Sequence, residues 1–121
     1  MFKTYPYNSF EKKFTFAKRR DEADRIIQKY PARVPVICER SGETNVPLLD
    51  KKKYLVPNDL TIGQFIFIIR KRLLLDESKA LFMFINHTIP MTSTPMGAIY
   101  DRFQNRDGFL YIRYSGENTF G

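Results

Sequence analysis

The chain is poor in the residue types that carry chemistry. It has 121 residues, with one cysteine and one histidine. One cysteine cannot close an intramolecular disulfide, so stability has to come from packing. One histidine, His87, excludes a multi-histidine metal site within the chain and reads as an exposed loop residue. The six glycines never cluster, which excludes a phosphate-cradling loop. Asp76 and Glu77 are adjacent in a loop-like stretch and do not form an acid/base pair. Asn86-His87-Thr88 fits the glycosylation pattern and reads as a chance match. No apolar run approaches the ~20 residues of a membrane span. Met1-Phe2-Lys3 leads into no apolar signal segment. The expectation is a non-enzymatic protein without cofactor or metal, in a reducing cytosolic setting. Membrane association would need surface contact or a covalent lipid.

What is present is aromatic and basic. There are 11 Phe and 7 Tyr, and hydrophobic residues make up 43%, enough for one modest core. The net charge is +7 and unevenly spread. Residues 1–33 hold nine Lys/Arg against four Asp/Glu. This basic excess predicts attraction to acidic peptides, anionic lipid or nucleic acid, or simply a solvated face.

Periodicity divides the chain. Residues 1–15 read as an arm or one short helix. Residues 16–30 read as an amphipathic helix, with Ala23, Ile26, Ile27 and Tyr30 at helical spacing and Pro31 as its stop. Val34 to Glu39 reads as a strand holding Cys38 as a buried, inert thiol. Lys53 to Val56 reads as an edge strand, being short and preceded by lysines. Thr61 and Gln64 make a capping-box pattern for a helix carrying Ile62, Phe65, Ile66, Ile69 and Leu73. That helix is apolar further round than one core face needs, which predicts a second covered side. Leu81 to Ile85 reads as a short central strand. Thr94-Pro95 reads as the N-cap and first residue of a helix with Met96, Ile99, Tyr100 and Phe103. Asp107-Gly108 reads as a turn, Phe109 to Tyr114 as the last strand, and Ser115 to Gly121 as a polar tail. The layout is α+β, one mixed sheet crossed by a helix.

Five segments in order carry a resemblance. They are Pro35-Val-Ile-Cys-Glu-Arg40, Lys51-Lys-Lys-Tyr-Leu-Val-Pro57, Ile69-Arg-Lys-Arg-Leu73, Asp107-Gly-Phe-Leu-Tyr111 and Tyr114-Ser-Gly-Glu-Asn-Thr-Phe-Gly121. Together they closely resemble the autophagy-related protein 8 family, which includes the microtubule-associated light chain 3 and GABARAP proteins. The resemblance covers residues ~16–121. It implies a ubiquitin-like β-grasp fold: a four-stranded mixed sheet, a central helix and an N-terminal helical extension. The expected organisation is a helical arm over 1–32, a β-grasp domain over 33–115 and a conjugation tail over 116–121.

The resemblance also implies a function. Gly121 would be activated by an E1-like enzyme with ATP, passed to an E2-like thioester and joined to phosphatidylethanolamine. A glycine has no Cβ, so its carboxylate is unhindered. Family precursors often extend past this glycine and are trimmed by a cysteine protease. Here Gly121 is the last residue, so the chain is either a trimmed form or one whose glycine is encoded exposed, the protease then serving only for release from lipid. The protein would be cytoplasmic when free and on the membrane of the autophagosome or another organelle when lipidated.

The family captures cargo receptors and adaptors through aromatic-x-x-aliphatic peptides. The resemblance assigns Glu22, Ile26, Pro35, Ile37, Lys53, Leu55 and Phe109 to an aromatic pocket. It assigns Tyr54, Val56, Pro57, Leu60, Phe65 and Ile68 to an aliphatic pocket. Arg33, Lys51 and Lys53 would favour acidic residues before the aromatic one. Without the resemblance, Phe65 and Phe109 read as ordinary core. The arm departs from the family, and membrane contact by Phe2, Tyr5 and Tyr7 is a separate expectation. The alternative is an unconjugated β-grasp domain whose basic helix binds tubulin, RNA or anionic membrane. Nucleic acid is not expected as a partner, because the aromatics of the central helix and last strand look buried and not arranged for base stacking.

Overall fold

The computed structural model describes residues 9–42 and 45–117. The aromatic arm with Phe2, Tyr5 and Tyr7, and the tail glycine Gly121, lie outside the described residues. The elements run α1 (Phe10–Lys13), α2 (Phe16–Lys29), β1 (Arg33–Arg40), β2 (Lys53–Pro57), α3 (Ile62–Leu73), β3 (Phe82–Phe84), α4 (Met96–Phe103) and β4 (Leu110–Ser115). The sheet order is β2-β1-β4-β3. β1 and β4 are parallel, and the two outer pairs are antiparallel.

β2 is an edge strand, as its lysines suggest. β3 was expected to be central, and it is the opposite edge, paired with β4 alone among the described strands. Its apolar run reports burial of its faces, not its place in the hydrogen-bond ladder. Leu81, Met83 and Ile85 point into the main core, and Phe84 is buried as well. The central positions belong to β1 and β4.

Strand alternation sorts β1 between two cores. Val34, Val36 and Cys38 face α3 and join Tyr54, Val56, Phe65, Ile69, Leu110, Ile112 and Tyr114. Pro35, Ile37 and Glu39 face the other way, where Ile37 joins Phe10, Ala23 and Phe109 under the N-terminal helices. Burial raises the Cys38 thiol pKa, with the neighbouring Glu39 charge adding to it. A thiol so held is protonated and unreactive. Burial also pushes the Tyr54 and Tyr114 hydroxyls up to about 12. Tyr114 donates to the Pro47 carbonyl at 2.8 Å and accepts from the Leu49 N–H at 2.8 Å, tying the β1–β2 connection to β4.

The helices end for identifiable reasons. Thr61 and Gln64 form the expected reciprocal capping box on α3. The Thr15 hydroxyl caps α2, accepting from the Lys18 N–H. At α4 the N-cap is Pro95, without a side-chain cap, and not Thr94. Thr94 instead gives its carbonyl to the Ile62 N–H at 2.9 Å, joining the start of α3 to the loop before α4.

α2 is fixed to the sheet by a buried charge and a close approach. Asp107 has no exposed surface. Its carboxylate accepts from Arg19 Nη1 at 2.6 Å, the Tyr111 hydroxyl at 2.6 Å and the Phe109 N–H at 2.9 Å. Burial and the bond to Asp107 raise the Tyr111 pKa well above its ordinary value. One residue on, Gly108 has φ +93, and a Cβ there would stand 2.9 Å from the Ala23 Cβ. Glycine is needed on both counts: the left-handed backbone and the contact with α2.

Substitutions at this anchor should cost far more than one at an exposed pair on the same helix. Arg19→Ala leaves a buried carboxylate without its cation and should cost about 3–5 kcal/mol in urea unfolding. Arg25→Ala, which breaks the exposed Arg25–Asp21 pair on the same helix, should cost no more than ~0.5 kcal/mol. Gly108→Ala should cost about 2 kcal/mol or more. An unchanged denaturation midpoint for Gly108→Ala would mean that α2 can shift away freely.

Candidate functional site

The sheet face under α1 and α2 is built in rows across the strands. Register places Leu55 beside Pro35, Lys53 beside Ile37, Tyr111 beside Ile37, and Arg113 beside Glu39. Phe109 directly precedes β4 on the same face as Tyr111. Pro35, Ile37, Lys53, Leu55 and Phe109 therefore share one face of the sheet. α2 lies over it and supplies Glu22 and Ile26. Ile26 is partly buried against the cluster of Phe10, Ala23, Ile37 and Phe109. Glu22 forms an ion pair with Lys53. Of the seven residues assigned to an aromatic pocket, Ile26, Ile37 and Phe109 pack together, Glu22 pairs with Lys53, and Pro35 and Leu55 lie side by side on the same sheet face.

Their exposure is graded. Ile37 and Phe109 are fully buried and form a floor, while Lys53 and Leu55 keep partial exposure at the strand edge. The rim is polar, with the Glu22–Lys53 pair spanning from helix to strand. Lys51 is exposed and holds its ammonium 5.4 Å from the Tyr54 ring centre. Arg33 is exposed and stacks on Tyr30, its Cζ 5.5 Å from the ring centre. Lys51 and Arg33 carry charge at opposite ends of the β2–β1 edge. Lys53 is partly neutralised by Glu22.

The second assigned group lies on the other face of β2. Tyr54, Val56 and Phe65 belong to the main core, with Tyr54 and Phe65 edge-to-face at 5.7 Å between centroids. Phe65 has no exposed surface, so it supports the region from below. Pro57 is exposed, Leu60 is partly buried against the core, and Ile68 is 42% exposed. On the same helix Phe67 is 58% exposed. The broad apolar character of α3 thus splits into a buried stripe and an open one.

Sequence reasoning missed four residues that hold this face together. Phe10 falls in the stretch read as an arm or one short helix, with no core role expected, yet it is buried in the outer cluster. Glu39 is buried and accepts from the Phe10 N–H at 2.9 Å and Lys52 Nζ at 3.0 Å. Arg19 and Asp107 form the anchor of α2. The available signal was the odd-numbered position of Glu39, in phase with Pro35 and Ile37 on a strand buried on both faces. No local pattern marked Arg19, whose partner is 88 residues away.

A cavity of about 370 Å³ opens elsewhere, lined by Glu11, Phe16, Arg19, Asn105, Arg106 and Asp107. It carries both charge signs, and its buried carboxylate is already bonded. Among the described residues no group of His, Cys, Asp and Glu could hold a metal ion. No helix among them is long and apolar enough to cross a membrane.

Comparison with known proteins bears on the fold and the family. The family model described as autophagy protein Atg8, ubiquitin like, matches residues 18–121. Autophagy-related protein 8 of Mycosarcoma maydis is 54% identical over 114 residues, covering 94% of this chain and 97% of that protein. The protein of the same name from Schizosaccharomyces pombe is 53% identical, covering 94% of each. The crystal structure of Trypanosoma brucei ATG8 superposes with a TM-score of 0.87 at 40% identity, over 98% of this chain and 100% of that one. With its mixed four-stranded sheet and helices, the chain has the ubiquitin-like β-grasp fold and belongs to the Atg8 family of ubiquitin-like autophagy proteins.

Proposed function

We propose that the chain is a ubiquitin-like modifier joined through Gly121 to phosphatidylethanolamine. On the membrane it recruits cargo receptors and adaptors that carry aromatic-x-x-aliphatic peptides. It is the substrate of E1-like and E2-like enzymes and of a deconjugating cysteine protease, and not itself an enzyme. The lipid gives a chain with no spanning helix among its described residues two acyl anchors, each buried CH₂ contributing about 0.8 kcal/mol. Free chains are cytoplasmic, and lipidated ones sit on the autophagosome.

The observation that carries the peptide reading is the edge strand β2, flanked on opposite faces by two groups of apolar residues. A peptide added along a sheet edge bonds through its backbone. Its side chains alternate between faces. Two residues three positions apart therefore point to opposite faces. An aromatic side chain would enter the group with Leu55, Pro35 and Ile37. The aliphatic one would reach Pro57, Leu60 and Ile68 around Tyr54, Val56 and Phe65. Lys51, Lys53 and Arg33 border this edge and would favour acidic residues ahead of the aromatic one.

Two measurements test the two halves separately. Incubation with cognate E1, E2, ATP and phosphatidylethanolamine liposomes should give a thiol-sensitive E2 adduct and then a lipid-sized mass gain. Gly121→Ala should remove both while the fold persists, and a normal lipidated band from it would refute the conjugation site. Leu55→Ala should weaken peptide binding by about 1–4 kcal/mol. Tyr54→Ala is the poorer probe, because it opens the main core. An unchanged dissociation constant for Leu55→Ala would remove the aromatic pocket from the recognition surface.

A further inference from the structure

The aromatic cleft has an end wall, and that wall is Phe10. α1 has four residues, too short to hold a helix by itself. Its place is set from outside. The Phe10 ring sits edge-to-face on Phe109 at 5.3 Å and tilted against Tyr111 at 6.5 Å. Lys53, on the rim, holds its ammonium 5.7 Å from the Phe10 ring centre. The Phe10 backbone is pinned as well, its N–H donating to the buried Glu39 carboxylate at 2.9 Å. The far end of α1 is tied to α2, since Arg19 Nε donates to the Phe14 carbonyl at 3.1 Å.

The rows of the sheet locate this wall. Glu39 is two residues beyond Ile37 on the same face, and Ile37 is two beyond Pro35. The backbone of Phe10 stands over the Glu39 row, and its ring reaches back over Tyr111 and Phe109. It closes the face from the Glu39 end. Beyond the Phe10 ring, the partly exposed Leu55 beside the buried Pro35 remains for an incoming side chain, bounded by α2 on one side. Rows on one face are about 6.5–7 Å apart along a strand, so the wall removes roughly one row of depth.

From this geometry we propose that Phe10 is a specificity-determining residue of the cleft. It limits cleft depth and so biases recognition towards peptides whose aromatic residue is Phe or Tyr over Trp. Glu39 is the positioning residue that holds it there. The proposal rests on the peptide-binding reading above. A rigid wall discriminates by size, and a pocket that differs by a few carbon atoms separates ligands about tenfold or more.

The experiment compares three acidic peptides, identical except for Phe, Tyr or Trp at the aromatic position and with Leu three residues later. Dissociation constants are measured by calorimetry for the wild type, Phe10→Leu, Phe10→Ala and Glu39→Gln, each checked for folding by circular dichroism. Phe10→Leu keeps the buried site apolar and guards against loss of fold. Phe10→Ala should shift the Phe-to-Trp preference towards Trp by about tenfold. Phe10→Leu should shift it less, and Glu39→Gln should shift it in the same direction. Equal weakening of all three peptides would make α1 a mere support and overturn the proposal, as would an unchanged ratio. A folded wild type that binds none of the three would defeat the peptide reading itself, and the specificity role with it. Tight wild-type binding with an unmoved ratio would defeat only the role of Phe10.

Discussion

The fold depends on one strand being buried on both faces. β1 lies between β2 and β4 and buries every residue from Val34 to Glu39. Alternate side chains must therefore satisfy two different cores. One core is large, contributed by α3, α4 and all four strands. The other is a small cluster that exists because α1 and α2 cover the opposite face. A one-residue slip of β1 would put the Glu39 carboxylate into the larger core and Cys38 beneath the helices. Register is strongly specified under such conditions.

The outer layer has a small apolar cluster, and buried charge fixes its position. Asp107 is fully enclosed, yet every acceptor direction used is answered by Arg19, Tyr111 or the Phe109 backbone. Such a pair is weak evidence of net stability, because desolvation opposes it. Its effect is positional: a guanidinium bonded to one carboxylate fixes where α2 crosses the sheet. Glu39 does the same for α1 through a backbone N–H. Both carboxylates project to the helix-covered side and not into the main core, where an unpaired charge would be costly.

Much of this was legible in the chain, and what was missed has a common cause. The capping box at Thr61, the stop at Pro31, the edge character of β2 and the enclosed Cys38 follow from local rules. The tail and the five ordered segments pointed to the family. The place of β3 was misread because an apolar run reports burial of strand faces and does not encode ladder position. Thr94 was misassigned as a cap because its sequence context suits one, whereas its carbonyl is engaged by α3. Arg19, Asp107 and Glu39 were invisible as a set. Each looks like a surface charge until residues far apart in the chain come together.

The two layers also explain why a recognition surface should arise at β2 and not at β3. A β-grasp sheet with helices on one side leaves its other face bare. α1 and α2 cover Ile37 and Phe109 completely but meet β2 at Lys53, which pairs with Glu22 and lies against the Phe10 ring. Cover therefore ends one strand short of the edge, leaving a step of protein depth beside a strand edge that has no sheet partner among the described residues. On the other face α3 leaves Ile68 open while Phe65 is enclosed beneath Tyr54. A strand that is unpaired along one side and stepped on both faces offers main-chain affinity and side-chain selectivity at the same place. At β3, by contrast, the described strand is three residues long, and Met83 and Phe84 are turned inward. That leaves a shorter ladder with fewer side chains to read a partner. The incomplete cover of β2 by the N-terminal helices is thus the feature on which the proposed binding edge rests.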